Sequence, residues 1–465
     1  MGINARLERS IVNRQADYST NGKTGGKLAV LLPGLGAVGT TFIAGAIAAR
    51  RGLGAPIGSL TQLGRMPVSA DAPDAMPPRI KDVVGLAELD DLVFGGWDIF
   101  EDNCYEAACN AGVLTRDFLA PLQEELEAIR PMKAVFDPAF VRNITGPNVK
   151  KYKTKMDAAE ALVADIERFM AQNGCARAVG VWCGSTEVFV DVEPVHASLK
   201  AFEAGLRGND DAISPTMIYA YAHIKAGVPF INSAPNRALN TPALVEMAEQ
   251  YGVPFAGHDL KTGQTLMKTI LAPGIASRQL GVSGWYSTNI LGNRDGLVLD
   301  DPGSFKTKEE SKLSVLDSIF RPDQNPQLYG DMHHKVRIDY YPPRGDAKEG
   351  WDNIDIFGWM GYPMQIKVNF LCRDSILAAP LVLDLALLAD LAQRKGQSGN
   401  QTWLSYYFKS PQADPGEGVV HALMAQERML FTQLRILADA DVSVDHPWDP
   451  AILPNTDSRE LRSDR

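Results

Sequence analysis

Strand-like and helix-like patterns alternate along the first 257 residues of the chain. Apolar runs with the length of buried strands occupy residues 28–32, 91–94, 134–136 and 178–182. Helical patterns occupy residues 40–51, 155–173 and 242–250. The last of these has Thr241 as a candidate N-cap and Pro242 at its first helical position. This alternation predicts an α/β fold, with a parallel sheet covered by helices on both faces.

The pattern changes near residue 260. From there to about residue 373, β-branched, aromatic and charged residues become more frequent, which predicts antiparallel sheet. From Ser375 onward the chain reads as helical again. We therefore predict that a second, α+β domain is inserted into the first. The predicted segments are a polar N-terminal arm at 1–26, the first domain at 27–260, the insertion at 261–375 and the return to the first domain at 376–465.

The overall composition is that of an ordinary globular protein. The chain has 465 residues, a net charge of −10 and a pI of about 5.3, and this acidic balance argues against nucleic acid as a partner. Five cysteines without a C-x-x-C pair support no disulfide framework or zinc ribbon, so a cytoplasmic location is expected. The histidines show no metal-ligand spacing, so no metal site is predicted. Residues 376–392 are strongly apolar but contain Pro380, Asp384 and Asp390, which predicts a buried helix and no membrane partner.

A glycine-rich motif directly follows the first apolar run. It reads Gly34-Leu35-Gly36-Ala37-Val38-Gly39, a G-x-G-x-x-G between a predicted strand and a predicted helix. In a dinucleotide site such glycines let the backbone approach the pyrophosphate, which faces the N-terminus of the following helix. The motif therefore predicts that the first domain is a Rossmann-type nucleotide-binding domain. A glycine-rich turn in another kind of α/β protein is the alternative.

The acidic residue that accompanies this motif is not at its usual place. An Asp or Glu that binds the adenine ribose is expected about 20 residues after the glycines, but residues 54–64 contain none. Asp98, which follows a glycine pair at the end of a later strand, is the better candidate. The alternative is that Asp98 caps a helix over residues 99–108.

Three lysines are candidates for chemistry. Thr307 and Glu310 form a capping-box pattern, so a helix is predicted to begin near Lys308 and to carry Lys308 and Lys312 on one face. Such a pair suits a phosphate or an enolate, but two solvated lysines on an acidic helix would give the same pattern. Lys409 lies among aromatic residues, where an apolar setting would lower its pKa for proton transfer. Alternatively, its ammonium group extends to solvent.

Three ordered motifs occupy residues 257–312. They read GHDLKTGQT, NILGNRDG and FKTKEESK. The segments FLCRDSILAAPLVLDL and LSYYFKSPQADPG follow them, and GGWDI precedes them. In this order the segments resemble the myo-inositol-1-phosphate synthase family, discontinuously from about residue 28 to about residue 412.

The resemblance implies an NAD-dependent isomerase that converts D-glucose 6-phosphate into 1L-myo-inositol 1-phosphate. In that reaction C5 is oxidised, a C6 proton is lost to give an enolate, the enolate attacks the C1 aldehyde, and the ring ketone is reduced again. NAD is thus regenerated within one turnover. The resemblance also implies that the insertion is a catalytic and tetramerisation domain and that the protein is a homotetramer.

The resemblance implies a set of site residues, position by position. Its catalytic positions are Lys308, Lys312, Lys348, Lys409, Asp259, Asn289, Asp295 and Asp374. Its substrate-binding positions are Thr262, Gly263 and Leu291. Its cofactor-binding positions are Gly34, Leu35, Gly36, Ala37, Val38, Gly39, Asp98, Asn232, Ser233 and Asp346.

The chain departs from the family pattern at the phosphate loop. Ala37 and Val38 stand where many members carry two asparagines, but the four central lysines are all present, so we expect an active enzyme. Two alternatives stay open. One is a net NAD-dependent oxidoreductase that releases an oxidised sugar phosphate. The other is a non-catalytic protein that binds a nucleotide or a sugar phosphate.

Overall fold

The computed structural model describes residues 25–68, 76–414 and 416–440, without the side chains of residues 309–314. Most of the predicted N-terminal arm and residues 441–465 of the predicted C-terminal return lie outside the described residues. The strands are β1 (Lys27–Pro33), β2 (Leu92–Asp98), β3 (Met132–Lys133), β4 (Cys175–Trp182), β5 (Phe230–Asn232), β6 (Pro254–Gly257), β7 (Gly281–Leu291), β8 (His333–Tyr340), β9 (Ala347–Phe357), β10 (Pro363–Arg373) and β11 (Gly399–Asn400).

The α-helices are α1 (Ala37–Arg50), α2 (Leu60–Leu63), α3 (Ile80–Val83), α4 (Cys104–Ala111), α5 (Arg116–Leu119), α6 (Gln123–Glu127), α7 (Lys155–Asn173), α8 (Leu199–Gly208), α9 (Pro215–Lys225), α10 (Pro242–Tyr251), α11 (Gly263–Ser277), α12 (Arg294–Leu299), α13 (Pro302–Phe320), α14 (Pro326–Tyr329), α15 (Asp374–Arg394) and α16 (Leu423–Leu437). Short 3-10 helices lie at Leu89–Asp91, Ala120–Leu122, Pro194–His196, Pro342–Arg344, Trp359–Gly361 and Thr402–Tyr407.

Seven parallel strands form the first sheet, in the order β11-β6-β5-β4-β1-β2-β3. One hydrophobic core, which includes α1 and α15, covers one face, and a second core, which includes α7, α9 and α10, covers the other. Burial on both faces explains why the strands are continuous apolar runs. The strand order reverses between β1 and β4, and α/β sheets bind ligands at the carboxyl edge of such a switch point. The predicted α/β, Rossmann-type architecture is confirmed.

Several boundaries in this half of the chain differ from the predictions, such as the start of α1 at Ala37 and not at residue 40, and two differences have a local cause. The strand predicted at 134–136 lies at Met132–Lys133, because Ala134 leaves the ladder and bridges to Val149. The helix considered at 99–108 begins only at Cys104, because the Asn103 side chain accepts hydrogen bonds from the backbone of residues 105 and 106 and so caps it. In contrast, α7 has the predicted bounds, since Thr154 and Asp157 form a capping box at its start.

The second sheet has four strands, in the order β10-β9-β7-β8. β9 pairs antiparallel with β7 and β10, as predicted, but β7 and β8 are parallel. The antiparallel prediction is wrong for that pair because α12, α13 and α14 connect the two strands, so the chain re-enters the sheet from the same end. In the sequence these strands lie between β6 and β11 of the first sheet. The domain boundaries drawn from the sequence stay a prediction.

Helix α15 is the strongly apolar segment of the chain. Its length and composition would allow it to cross a membrane, but 72% of its most apolar stretch is buried in the fold. It packs against α1 and β4, and Asp384 accepts hydrogen bonds from the hydroxyl groups of Ser59 and Thr61 at 2.5 and 2.6 Å. The packing of the first sheet therefore accounts for the apolar composition of α15.

Candidate active site

A cavity of about 520 Å³ lies at the carboxyl edge of the first sheet. One part is lined by the glycine loop after β1 and by the segments after β4 and β5. The other part is lined by residues of the second sheet and its helices, among them Leu291, Asp295 and Lys308. The cavity therefore joins the two halves of the molecule at the switch point of the first sheet.

The glycine loop has the shape that an anion-binding turn needs. Gly34 has φ +102°, and a Cβ at that position would lie 2.5 Å from the backbone nitrogen of Gly184. A Cβ on Gly36 would meet no protein atom within 4 Å, so this backbone faces open space in the cavity. A Cβ on Gly39 would lie 2.7 Å from the carbonyl oxygen of Gly34. Helix α1 begins at Ala37 without a side-chain cap, so its first backbone N–H groups are suited to hold a pyrophosphate.

Asp98 lies at the end of β2, beside this loop. Its Oδ2 accepts a hydrogen bond of 2.7 Å from the Leu35 N–H, and its Oδ1 accepts one of 3.0 Å from the Phe100 N–H. Burial raises the pKa of the Asp98 carboxyl, and the two hydrogen bonds act in the opposite direction. Asp98 does not cap a helix over residues 99–108, because α4 begins at Cys104. Its place at the end of the strand next to β1 fits the acid of a dinucleotide site, and its contact with the ribose stays a prediction.

The other predicted cofactor residues divide into two groups. Leu35, Ala37, Val38, Ser233 and Asp346 line the cavity with Gly34, Gly36 and Asp98. Asn232 is not among the lining residues, because its amide donates to the Asn236 carbonyl at 2.7 Å. Sequence reasoning missed Asn236, whose side chain donates to the Ser185 carbonyl at 3.1 Å and accepts from the Glu187 N–H at 2.8 Å. It ties the loops after β4 and β5 together, and a long-range contact of this kind has no local signal.

Three predicted lysines meet two carboxylates in the other part of the cavity. Oδ1 of Asp259 contacts the Nζ atoms of Lys308 at 3.0 Å and Lys409 at 3.3 Å. The Nζ atom of Lys348 lies 2.5 Å from Oδ2 of Asp374. The lysines are only 7%, 4% and 6% exposed, in the order given, so their charges are compensated by the two carboxylates and not by water.

The surroundings give the three ammonium groups different acidities. Burial acts to lower the pKa of Lys308 and Lys348, but carboxylates outweigh it and leave both pKa values above the ordinary range. Burial lowers the pKa of Lys409, and Asp259 opposes this shift only in part. Burial would raise the pKa of Asp374, but Lys348 and Lys409 hold it well below its usual value. Among these three lysines, Lys409 therefore releases its proton most readily.

Distant elements bring these groups together. Lys308 lies on α13 and Lys348 on β9, whereas Asp259 and Lys409 lie on two facing loop segments. The Lys409 N–H donates to the Asp259 carbonyl at 2.6 Å.

The capping box predicted at Thr307 is wrong. Helix α13 begins at Pro302, where Asp301 accepts from the Ser304 N–H at 3.0 Å. Thr307 therefore lies inside the helix, and its hydroxyl donates to the Glu187 carbonyl at 3.0 Å. The side chain of Lys312 lies outside the described residues, so its predicted place in the site stays a prediction.

The N-terminus of α11 faces the same cluster. Thr262 lines the cavity, and a Cβ on Gly263, the next residue, would lie 3.2 Å from Oδ1 of Asp374. Asn289 does not line the cavity; its amide donates to the side chain of Gln264 in the first turn of α11. Gln264 in turn donates to Oδ2 of Asp352 at 3.1 Å. Asn289 thus stabilises the first turn of α11 and does not face the cavity.

Another buried lysine, Lys261, was not singled out from the sequence. Lys261 is 4% exposed and donates from Nζ to the Gln426 side chain on α16. Burial lowers its pKa to about 7. Its place two residues after Asp259, inside the GHDLKTGQT motif, is the signal that could have drawn attention to it. In the described part of the chain, no three His, Cys, Asp or Glu side chains are grouped so that they could hold a metal ion.

The chain is similar to known proteins along most of its length. The family model described as myo-inositol-1-phosphate synthase matches residues 28–435. The chain belongs to the myo-inositol-1-phosphate synthase family. It is 55% identical to inositol-3-phosphate synthase 1 of Bacteroides thetaiotaomicron over 412 residues, which cover 88% of this chain and 95% of that one. It is 33% identical to inositol-3-phosphate synthase of Mesembryanthemum crystallinum, over 88% of this chain and 85% of that one.

A solved structure shares the fold of this family member. The crystal structure of inositol-3-phosphate synthase from Caenorhabditis elegans has a TM-score of 0.82 at 30% identity, covering 89% of this chain and 86% of that one. The resemblance to the myo-inositol-1-phosphate synthase family stated from the motifs is therefore confirmed. The model of this family is itself named for NAD binding, which agrees with the glycine loop at the switch point.

Proposed function

We propose that this protein is an isomerase that converts D-glucose 6-phosphate into 1L-myo-inositol 1-phosphate with NAD as a bound cofactor. The observation that carries the proposal is the cavity, in which a glycine loop at one end and buried lysine–carboxylate pairs at the other line one continuous space. Family membership supports the same reaction, because the relatives named above are inositol-3-phosphate synthases.

The glycine-loop end would hold NAD. Gly36 would leave room for the pyrophosphate, the N–H groups at the start of α1 would bind it, and Asp98 beside the loop would bind the ribose. Asn236 would keep the loops after β4 and β5 in place around the remainder of the cofactor. Bound NAD would accept a hydride from C5 and would return it to the ring ketone.

Lys409 and Lys308 would move the proton of the C5 hydroxyl. Lys409 has the lowered pKa of a base that can accept a proton, and Lys308 remains charged through Asp259 and Asp295. Both ammonium groups contact Oδ1 of Asp259. When one of them loses its proton, the positive charge of the other still compensates the Asp259 carboxylate. This arrangement fits general acid–base catalysis in which one site alternates between two protonation states.

Lys348 and the start of α11 would bind the negative charges of the substrate. Lys348 stays protonated beside Asp374 and can stabilise an enolate oxygen electrostatically. Thr262 and Gly263 present the N-terminus of α11, which suits the phosphate group. Lys312 is proposed as a further cation for the same charges. The low exposure of the lysines would keep water away from the enolate.

We also propose that the protein is a cytoplasmic homotetramer. The connection between β9 and β10 exposes Trp359, Met360 and Tyr362 by 86%, 77% and 74%. Exposed apolar side chains grouped in this way suit an interface between subunits. All five cysteines are free, which suits a reducing compartment.

The reaction is tested by its stoichiometry. The purified protein is incubated with glucose 6-phosphate and far less NAD than substrate, and phosphorus NMR follows the sugar phosphates while fluorescence follows NADH. Inositol phosphate in large excess over NAD, without accumulating NADH, is the expected result, and Lys409→Met is expected to abolish it. NADH formed in proportion to an oxidised sugar phosphate would favour the oxidoreductase, and binding without conversion would favour a non-catalytic protein.

A further inference from the structure

Arg294 bridges the cavity near the glycine loop. It is the first residue of α12, so it belongs to the part of the chain that forms the second sheet. Its guanidinium carbon lies 4.1 Å from the centre of the Phe100 ring, and Phe100 follows β2 of the first sheet. Both residues line the cavity. The contact therefore connects the two halves of the molecule beside the segment that follows β2.

A short series of contacts joins Arg294 to the glycine loop. The Phe100 N–H donates to Oδ1 of Asp98 at 3.0 Å, and Oδ2 of Asp98 accepts from the Leu35 N–H at 2.7 Å. The charge of Arg294 acts on Asp98, where it opposes the rise in pKa that burial causes. Arg294 is thus the cation next to the carboxylate at the edge of the loop.

Near the glycine loop, a bound dinucleotide would need a cation to compensate negative charge. A dinucleotide brings two negative phosphates close to the Asp98 carboxylate, and the side chains of Ala37 and Val38 offer no hydrogen-bond donors. Of the lysines that line the described cavity, Lys308, Lys348 and Lys409 are engaged by the carboxylates of the other end. In the family motif N-x-L-G-N-x-D-G, Arg294 occupies the second open position.

We propose that Arg294 is a cofactor-binding residue that contacts the diphosphate of the dinucleotide from the side opposite the glycine loop. The proposal rests on the proposed function for the identity of the cofactor. An arginine suits this task, because its planar guanidinium donates two parallel hydrogen bonds to phosphate oxygens and can remain stacked on an aromatic ring. Occupancy by the cofactor would then hold α12, and with it Asp295, against the nucleotide-binding half.

Equilibrium binding tests the proposal without reference to turnover. The affinities of wild type and the Arg294→Met variant for NADH and ADP-ribose are measured by fluorescence titration and displacement at low and high salt. We expect the variant to bind both ligands about tenfold more weakly, as the loss of a charged hydrogen bond predicts. We also expect its affinity to depend less on salt, because a phosphate contact is lost. Arg294→Lys should retain part of the affinity.

The matched control is Arg278→Met, which removes an exposed arginine of the second half that does not line the cavity. Wild-type affinity for ADP-ribose in the Arg294→Met variant would overturn the proposal. So would a weaker affinity with an unchanged salt dependence, because the arginine would then act through stacking alone. A wild-type protein that binds NADH but does not convert glucose 6-phosphate would refute the proposed function and leave the role of Arg294 standing.

Discussion

Replacing Asp259 by Asn tests whether one carboxylate holds two site lysines together. The substitution keeps the size of the side chain but removes the charge that Lys308 and Lys409 contact at 3.0 and 3.3 Å. The three residues are only 2% (Asp259), 7% (Lys308) and 4% (Lys409) exposed. In the variant, two buried ammonium groups would face each other without their shared counter-ion.

The expected cost follows from the burial of these groups. Removing one partner of a buried ion pair costs about 3–5 kcal/mol. We expect a cost at the low end of this range, because Asp295 still favours the charged form of Lys308 and Asp374 that of Lys409. We therefore expect Asp259→Asn to lower the free energy of unfolding by about 3 kcal/mol near neutral pH.

This loss should depend on pH in one direction. Burial already places the pKa of Lys409 below its ordinary value of 10.5, and removal of Asp259 lowers it further. The folded variant then binds fewer protons than the unfolded chain, so its stability rises with pH in the window below 10.5. The difference from wild type should therefore shrink as the pH is raised.

Urea unfolding followed by tryptophan fluorescence, near neutral pH and again in mild alkali, measures both effects. The control is Asp339→Asn, which makes the same chemical change at a carboxylate that is 46% exposed and pairs with Arg337 at 3.2 Å. A surface pair of this kind is worth about 0–1 kcal/mol. If the Asp259 variant loses no more stability than the control, or if its loss grows with pH, the shared counter-ion is refuted.

Three further predictions concern the glycine loop, the buried Lys261 and the proposed base Lys409. Gly34→Ala should weaken NADH binding at least tenfold in a fluorescence titration. Gly34 has φ +102°, and the added Cβ would lie 2.5 Å from the backbone nitrogen of Gly184. The control is Gly45→Ala in α1, where the added Cβ meets no atom within 4 Å, so NADH affinity should not change. Because burial lowers the pKa of Lys261 to about 7 in the folded protein, wild-type stability should rise between about pH 7 and 10.5, and Lys261→Met should flatten that slope in urea unfolding at a series of pH values; an equal slope in both proteins would contradict this. Turnover should rise with pH as Lys409 loses its proton, and a pH–rate profile that falls over the range below 10.5 would argue against Lys409 as the base.

The sequence predicted the elements whose cause is local. Residues 155–173 form a helix with the predicted bounds because its capping box lies in the sequence itself. The glycine loop was predictable for the same reason, since strand, loop and helix are consecutive. In contrast, β3 ends early because Ala134 pairs with a residue 15 positions away, and the parallel pairing of β8 depends on three intervening helices.

The sequence named many of the residues that line the cavity, but it did not predict their contacts. Asp259 and Lys409 are 150 residues apart, and their contact arises because two loops pair across the edge of the sheet. Asn289 was expected among the reacting groups, but its strand turns it toward Gln264 beneath the helix N-terminus. Asn236 and Lys261 were missed because their partners lie on other loops and helices. The sequence motifs therefore identified candidate residues, whereas the contacts between them depend on the tertiary fold.

The most direct test of the proposed reaction uses glucose 6-phosphate that carries deuterium at C5. In that reaction, one cavity holds the cofactor and every intermediate through a complete cycle. With unlabelled NAD in the solution, we predict that the inositol phosphate retains deuterium at the carbon derived from C5. Product that has lost this deuterium, with labelled NADH in the bulk solution, would contradict the claim, because the cofactor would then have left the cavity between oxidation and reduction.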